Sequence, residues 1–469
     1  MINEQSEKAN RAWVLALGSV ASFMVALDAL AVTTALSAMR SDLGASIEVL
    51  EWTVNAYNLS LAVLLLTGAA LGDRLGRRRM FAAGLGLFVV ASAACALAGS
   101  AGWLIAARAL QGAGAALVMP LAMAMLSAAF PRELRGTALG IFSGVVGLAL
   151  IAGPVVGGAI AEGLAWRWIF WVNIPIGLVV IPFVLGRTRE SFGAGTALDI
   201  AGLVAVTGAA FGLVWGLMRG NIAGWTSPEV VAALAGGLLL TIAFVAWELR
   251  ARAPMVPMRF FRSSAFSSAI TASFLFYGAL YATLFFLPQF LQAVQGYGPL
   301  GACLRLLPWT ATLFLVAPLA GALVNRIGER PLIVGGLLLQ AGGMAWIAFI
   351  AGPDVAYAKL VAPLIVAGAG ISMAMPAAQN AVLSSVAASE IGQASGIFNM
   401  LRFLGGAFGI AILGALFAGI GGLGSARAFG AGFAAAVGGA ATLSFLGAIA
   451  GIWQRAPGKT AFASADAGA

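Results

Sequence analysis

The stretch Ala69-Ala70-Leu71-Gly72-Asp73-Arg74-Leu75-Gly76-Arg77-Arg78 returns 252 residues later, weakened, as Gly321-Ala322-Leu323-Val324-Asn325-Arg326-Ile327-Gly328-Glu329-Arg330. Each copy is a short charged hinge between two long apolar runs, and each places a glycine two positions before its final arginine. The hinges occupy matching positions in a series of apolar segments, so the chain reads as two related halves.

Those segments set the class. The chain has 469 residues, of which 61% are hydrophobic and only 9% charged, against roughly a quarter charged in soluble domains. A spanning helix needs about 20 apolar residues. Divided at charges and Gly/Pro turns, the sequence predicts fourteen spans, near 12–36, 50–71, 80–98, 103–127, 137–161, 167–186, 198–218, 230–249, 266–293, 301–323, 331–351, 358–381, 392–419 and 428–452. The first hinge joins spans two and three and the second joins ten and eleven, so removing spans seven and eight leaves two equivalent six-helix halves. Abundant glycine suits helices that pack closely in lipid. The run after Lys8 and Arg11 is too long for a cleavable signal peptide, so it reads as a retained first helix.

Charge sets the expected orientation. Of the 26 Lys and Arg residues, 18 fall in one set of loops or tails, Arg132, Arg455 and Lys459 among them, 5 fall in the opposite set, and Arg108, Arg305 and Arg402 lie within spans. The positive-inside rule then puts both termini in the cytoplasm, in a multi-pass inner or plasma membrane protein. The net charge of +9 is thus topological, and the short, separated basic loops argue against nucleic-acid binding. Histidine is absent and the only cysteines are Cys95 and Cys303, which excludes imidazole metal sites, Ser-His triads and a disulfide framework. A membrane-embedded enzyme would need a nucleophile or metal cluster facing a cavity, and none is visible.

Gly72–Arg79 resembles the signature loop of the major facilitator superfamily. Gly147-Leu148-Ala149-Leu150-Ile151-Ala152-Gly153-Pro154-Val155-Val156-Gly157-Gly158 resembles the fifth-helix motif of that family's drug:proton antiporters. Leu27-Asp28, Glu51-Trp52 before Tyr57, and Trp166–Pro175 are similar to its fourteen-spanner branch. The resemblance implies an all-α polytopic fold: a six-helix bundle over residues 1–190, two extra central helices over 191–256, and a second bundle with a short tail over 257–469. It also implies a proton-coupled antiporter exporting small lipophilic compounds, with no cofactor and the proton gradient as driving force. A metabolite transporter or nutrient symporter is the alternative, and a non-transporting receptor a more distant one. The chain departs from the branch in Ala29–Ser37, which lacks the Asn and Pro usual after the helix-one Asp, and in having no acid between 306 and 323, as relatives that export dications have.

Asp28 is the one acid deep within a span. Ionised there it costs about 2.5–3.5 kcal/mol, and intramembrane acids are functional by default. Arg108 enters the fourth span about two turns from its start. The first span runs outward and the fourth inward, so the two side chains reach similar depths, and the resemblance makes both proton-coupling residues. In the loop, Asp73 is expected to pair with the arginines around it and face the N-terminus of the next helix. The resemblance gives Gly72, Asp73, Arg74, Gly76, Arg77 and Arg78 the role of a conformational latch, weaker in the second copy where Asn325 replaces Asp73. Gly147, Gly153, Gly157 and Gly158 strip side chains from the fifth span and Pro154 kinks it, so that the two halves are expected to approach closely there. A substrate cavity is expected to use Asn55, Tyr57, Asn58, Gln111, Tyr281, Gln289, Asn399 and Arg402, with Asn173, Tyr277, Gln292, Gln379 and Asn380 as further neutral polar groups. Arginines outnumber acids within the spans, which favours a neutral or weakly anionic compound.

Overall fold

The computed structural model describes residues 2–193, 198–387 and 390–454. Arg455 and Lys459, counted above among the inside cations, lie outside the described residues, as do the side chains of Lys8, Arg132, Leu150 and Asn325. Every regular element among the described residues is helical. Fourteen helices are long and apolar enough to cross a membrane: Ala9–Thr34, Glu48–Leu75, Arg77–Ala96, Ala101–Ala129, Thr137–Gly163, Trp168–Arg187, Ile200–Ala223, Pro228–Glu248, Ser264–Ala293, Pro299–Val324, Glu329–Ile350, Tyr357–Ser384, Ile391–Ile420 and Ala426–Ile452. They correspond one to one with the expected spans. The largest boundary difference is in the seventh, where Arg219 does not end the helix, which runs on to Ala223.

The described chain forms two compact units, Met1–Met255 with Leu284–Arg305, and Val256–Thr283 with Leu306–Ala469. The ninth and tenth spans each contribute to both.

The hinge repeat is visible in the backbone of each unit. Gly76 has φ +107° and serves both as the end of the second span and as the start of the third. Gly328, at the aligned position, has φ +80° and joins the tenth and eleventh spans in the same way. No described residue other than glycine has a positive φ, because a Cβ is strained there. A second pair separated by the same offset marks close helix approach. A Cβ on Gly84 of the third span would fall 3.1 Å from the Gly114 carbonyl of the fourth, and one on Gly336 of the eleventh 2.6 Å from the Gly370 carbonyl of the twelfth. Without a hydrophobic drive between helices in lipid, such backbone proximity supplies the packing energy.

A Cβ on Gly76 would also meet the Glu190 carboxylate at 2.8 Å. Gly76→Ala is expected to cost about 1–2 kcal/mol from the backbone alone, lowering the unfolding midpoint in detergent. Gly86→Ala, in the same helix with open space around it, should leave that midpoint unchanged or raise it.

Candidate functional site

Within the first unit, five spans bring polar side chains to one fully buried point. Asp28 and Arg108 both have no exposed surface, and Arg108 Nη1 donates to Asp28 Oδ2 at 2.6 Å. The other carboxylate oxygen, Oδ1, accepts from Gln111 Nε2 at 3.0 Å and from Asn173 Nδ2 at 2.7 Å. Both amides also donate to Ser92 Oγ, at 2.7 and 3.1 Å. Arg108 Nη1 further donates to Gln111 Oε1 at 2.6 Å, and its Nε donates to the Thr53 carbonyl at 3.2 Å. The Tyr57 ring covers the guanidinium at 4.2 Å, and Phe170 approaches it at 5.8 Å.

Local helix geometry explains the assembly. Residues three or four apart share a helix face, which sets Arg108 beside Gln111, Thr53 beside Tyr57, and Phe170 beside Asn173. Taking an ion pair out of water costs several kcal/mol per ion unless other hydrogen bonds complete both partners. Here nearly every acceptor and donor is used. The exceptions among the described residues are Arg108 Nη2 and Asn173 Oδ1, which are buried without a hydrogen-bond partner.

The fifth span packs on the helix that carries Asp28. A Cβ on Gly153 would sit 2.7 Å from Leu30 Cβ, and one on Gly157 would sit 2.6 Å from the Ala31 carbonyl. Gly158 instead faces the start of the tenth span, where a Cβ would meet Cys303 Sγ at 2.8 Å. Pro154 lies inside the helix. Gly147 has open space around it, so no close approach accounts for that glycine.

In the Gly72–Arg79 loop, Asp73 Oδ1 takes both Nε and Nη2 of Arg77 at 2.7 Å. A different acid occupies the N-terminus of the third span. The Glu190 carboxylate accepts from the backbone N–H groups of Arg78 at 2.8 Å and Arg79 at 3.3 Å, where the helix dipole favours an anion. Arg78 also donates to the carbonyls of Leu185 and Thr188, while Arg74 is exposed. Glu190 follows the sixth span by three residues, and no sequence motif pointed to it. The closest available hint was its place as an isolated acid after an arginine-rich turn.

The residues expected to line a cavity fall in both units. Gln111 and Tyr57 belong to the Asp28–Arg108 cluster. Asn55 donates to Met218 Sδ of the seventh span at 3.6 Å. Asn58 is buried, with its Nδ2 lacking a partner. Gln289 is satisfied within its own helix by the Phe285 carbonyl at 2.8 Å. In the second unit, Tyr281, Asn399 and Arg402 lie on the ninth and thirteenth spans, where the Arg402 guanidinium stacks 4.9 Å over Tyr277.

The sequence matches the family described as Major Facilitator Superfamily over residues 18–410. The chain belongs to the major facilitator superfamily. It is a multi-pass membrane transporter, not an enzyme. It is 35% identical over 414 residues to a tetracenomycin C resistance and export protein of Streptomyces glaucescens, covering 87% of this chain and 76% of that one. It is 34% identical over 398 residues to the multidrug resistance protein Stp of Mycobacterium tuberculosis, covering 84% and 74%. It is 36% identical over 408 residues to a cephamycin export protein of Amycolatopsis lactamdurans, covering 85% and 83%. These relatives and the fourteen spans agree with the branch that the motifs resembled. Among solved structures, a POT family transporter in complex with 5-aminolevulinic acid has a TM-score of 0.70 at 14% identity, over 93% of this chain and 94% of that one. A D-xylose-proton symporter has a TM-score of 0.67 at 15% identity, over 94% and 97%. At that identity they establish this facilitator's fold alone.

A smaller ionic cluster links the loops at one end of the first unit. Arg167 donates to Asp42 Oδ2 at 2.6 Å and to the Ala98 carbonyl at 2.9 Å, and Trp166 Nε1 donates to the same Asp42 oxygen at 3.0 Å. The Arg167 hydrogen bond, with Trp166 second, holds the Asp42 carboxyl below its ordinary 3.8. A lowered carboxylate pKa stabilises the folded state above the unfolded value, and this is lost as pH falls through the folded value. Asp42→Asn should therefore lower the unfolding midpoint slightly at neutral pH. The difference from wild type should vanish as pH falls below the ordinary carboxylate range, read by scanning fluorimetry across pH.

Proposed function

We propose that this facilitator is a proton-coupled antiporter that exports small lipophilic compounds by alternating access. It would act in the plasma membrane with both termini in the cytoplasm, as the distribution of Lys and Arg supports. The observation that carries the reading is the Asp28–Arg108 pair, sealed from solvent among five spans. Arg108 and the two amides hold the Asp28 carboxylate there. A rearrangement that opens the site to protons and moves the guanidinium away would let the carboxylate take up a proton. Alternation between these arrangements would load and release one or more protons per cycle through Asp28. The unused Arg108 Nη2 and Asn173 Oδ1 give the cluster room for a second hydrogen-bond pattern.

Export is the direction suggested by the relatives, three of which are named for resistance or export. One charge moving through 100 mV releases about 2.3 kcal/mol, enough to hold roughly a fifty-fold gradient of a neutral compound. Residues 1–190 and 257–469 are taken as the two moving bundles and 191–256 as the added pair of helices, with Gly72–Arg78 as the cytoplasmic latch. The seventh span fits an accessory role, packing on the second through Phe211 against Trp52, ring centroids 5.6 Å apart.

The test uses proteoliposomes with an imposed pH gradient, and ethidium and a neutral aromatic polyketide as cargo. Wild type should accumulate one of them against its gradient. Asp28→Asn, which keeps the side chain's size but replaces one acceptor oxygen with a donor and removes the charge, should accumulate neither, with its folding checked by size-exclusion profile. A variant that still builds the full gradient would overturn the coupling assignment.

A further inference from the structure

Among the described residues of the second unit, the intramembrane cation Arg402 has no acid paired with it. Arg402 is the twelfth residue of the thirteenth span, Ile391–Ile420. From Val256 to Gln454 the only acids are Glu329, Asp354 and Glu390, and each stands at a helix start or in a loop. Glu390 is paired with Arg259, and Glu329 accepts from Asn380. Among the described residues of this unit, no acid therefore does for Arg402 what Asp28 does for Arg108. A charged side chain at this depth costs about 2.5–3.5 kcal/mol, and its Nε is buried without a hydrogen-bond partner.

What surrounds Arg402 is aromatic. Its guanidinium lies 4.9 Å from the Tyr277 ring centroid and 5.3 Å from that of Phe403. Tyr281 is 6.4 Å from Tyr277 and 6.2 Å from Phe403, and Phe398 stands edge-on to Tyr277 at 6.1 Å. The two helices touch through glycines beside this group: a Cβ on Gly405 would fall 2.4 Å from the Phe274 carbonyl, and one on Gly409 2.2 Å from that of Gly278. Asn399, one turn before Arg402, uses its amide N–H on the Ser395 carbonyl. Ring faces stabilise a cation weakly, about 0.5–2 kcal/mol, and do not neutralise it. The geometry is a positive fork set against aromatic ring faces, with a side-chain hydrogen bond to Tyr281.

Resting on the export reading, we propose that Arg402, with Tyr277, Tyr281, Phe398, Asn399 and Phe403, binds the transported compound and selects aromatic weak acids. The guanidinium would take a carboxylate, phenolate or enolate on the cargo in a charge-assisted pair, and the rings would take the planar body. The bound anion then supplies the counter-charge that the described residues of this unit lack.

The experiment compares two isosteric fluorescent probes, anthracene-2-carboxylate and anthracene-2-carboxamide, titrated into the full-length protein in nanodiscs of zwitterionic lipid, with empty nanodiscs subtracted. Wild type should bind the acid about tenfold or more tighter than the amide. Arg402→Gln should erase that preference while changing amide affinity less than about twofold, which shows that the protein and its ring walls are intact. Arg402→Lys keeps the charge but loses the planar fork and should retain part of the preference, which covers the case of a Gln variant that does not fold. Equal or weaker binding of the acid by wild type, or an undiminished preference in Arg402→Gln, would overturn the proposal. No gradient is involved, so the acid-over-amide preference does not depend on proton coupling. Failure of proton coupling and failure of this site are thereby read separately.

Discussion

An ion pair with no access to water is the constraint on which the first unit depends. Asp28 and Arg108 have no exposed surface, and neither charge is tolerable there alone, since breaking a buried pair costs about 3–5 kcal/mol. Their hydrogen bonds recruit Gln111, Asn173, Ser92 and the Thr53 carbonyl, so the first, second, third, fourth and sixth spans meet at this point. The fifth span, which adds no polar group there, presses its glycines on Leu30 and Ala31, directly beside Asp28. Side chains at Gly153 or Gly157 would push the carrier helix away and disturb the pair indirectly. In this unit, packing and electrostatics are one problem.

Such a cluster is rigid while satisfied and fragile when one member changes charge. In a medium of low dielectric, fully paired groups hold one another firmly and a single unpaired one is expensive. That property makes the site suited to switching: small changes in access alter which arrangement is lower in energy. It also explains the aromatic cover. Tyr57 and Phe170 flank the guanidinium and keep water from dissolving the pair.

Much of this was legible in the sequence, though unevenly. Fourteen apolar runs gave fourteen helices, because the need to satisfy every backbone N–H and C=O in lipid leaves few alternatives. The depth argument brought Asp28 and Arg108 together, since charges in hydrocarbon are scarce and opposite charges at equal depth seek each other. Gly76 and Gly328 stood out through the repeat, and both adopt the positive φ that only glycine takes easily. The neutral polar groups were not readable in the same way. Asn55 and Asn173 look alike in sequence, yet one meets Met218 and the other completes Asp28. Those partners lie 163 and 145 residues away, and no local period encodes such distances. Glu190 escaped for a related reason: it caps a helix 112 residues earlier in the chain, whereas most capping signals are local.

The repeat preserves geometry and discards charge. Hinge glycines and the close approaches of Gly84 and Gly336 recur at the same offset, while Asp73 becomes Asn325 and no acid in the second half takes the place of Asp28. A backbone template constrains both halves equally, because glycine positions are set by helix packing that each unit must achieve. Ionisable groups are under no such duplication, since each one costs free energy in lipid and persists only where it does something. On the proposed reading, the first half keeps a balanced pair because a proton must be bound and released there. The second keeps a lone cation because its partner arrives with the cargo. The difference between a satisfied arginine and an unsatisfied one, on two copies of one scaffold, is then the difference between the coupling ion's site and the compound's.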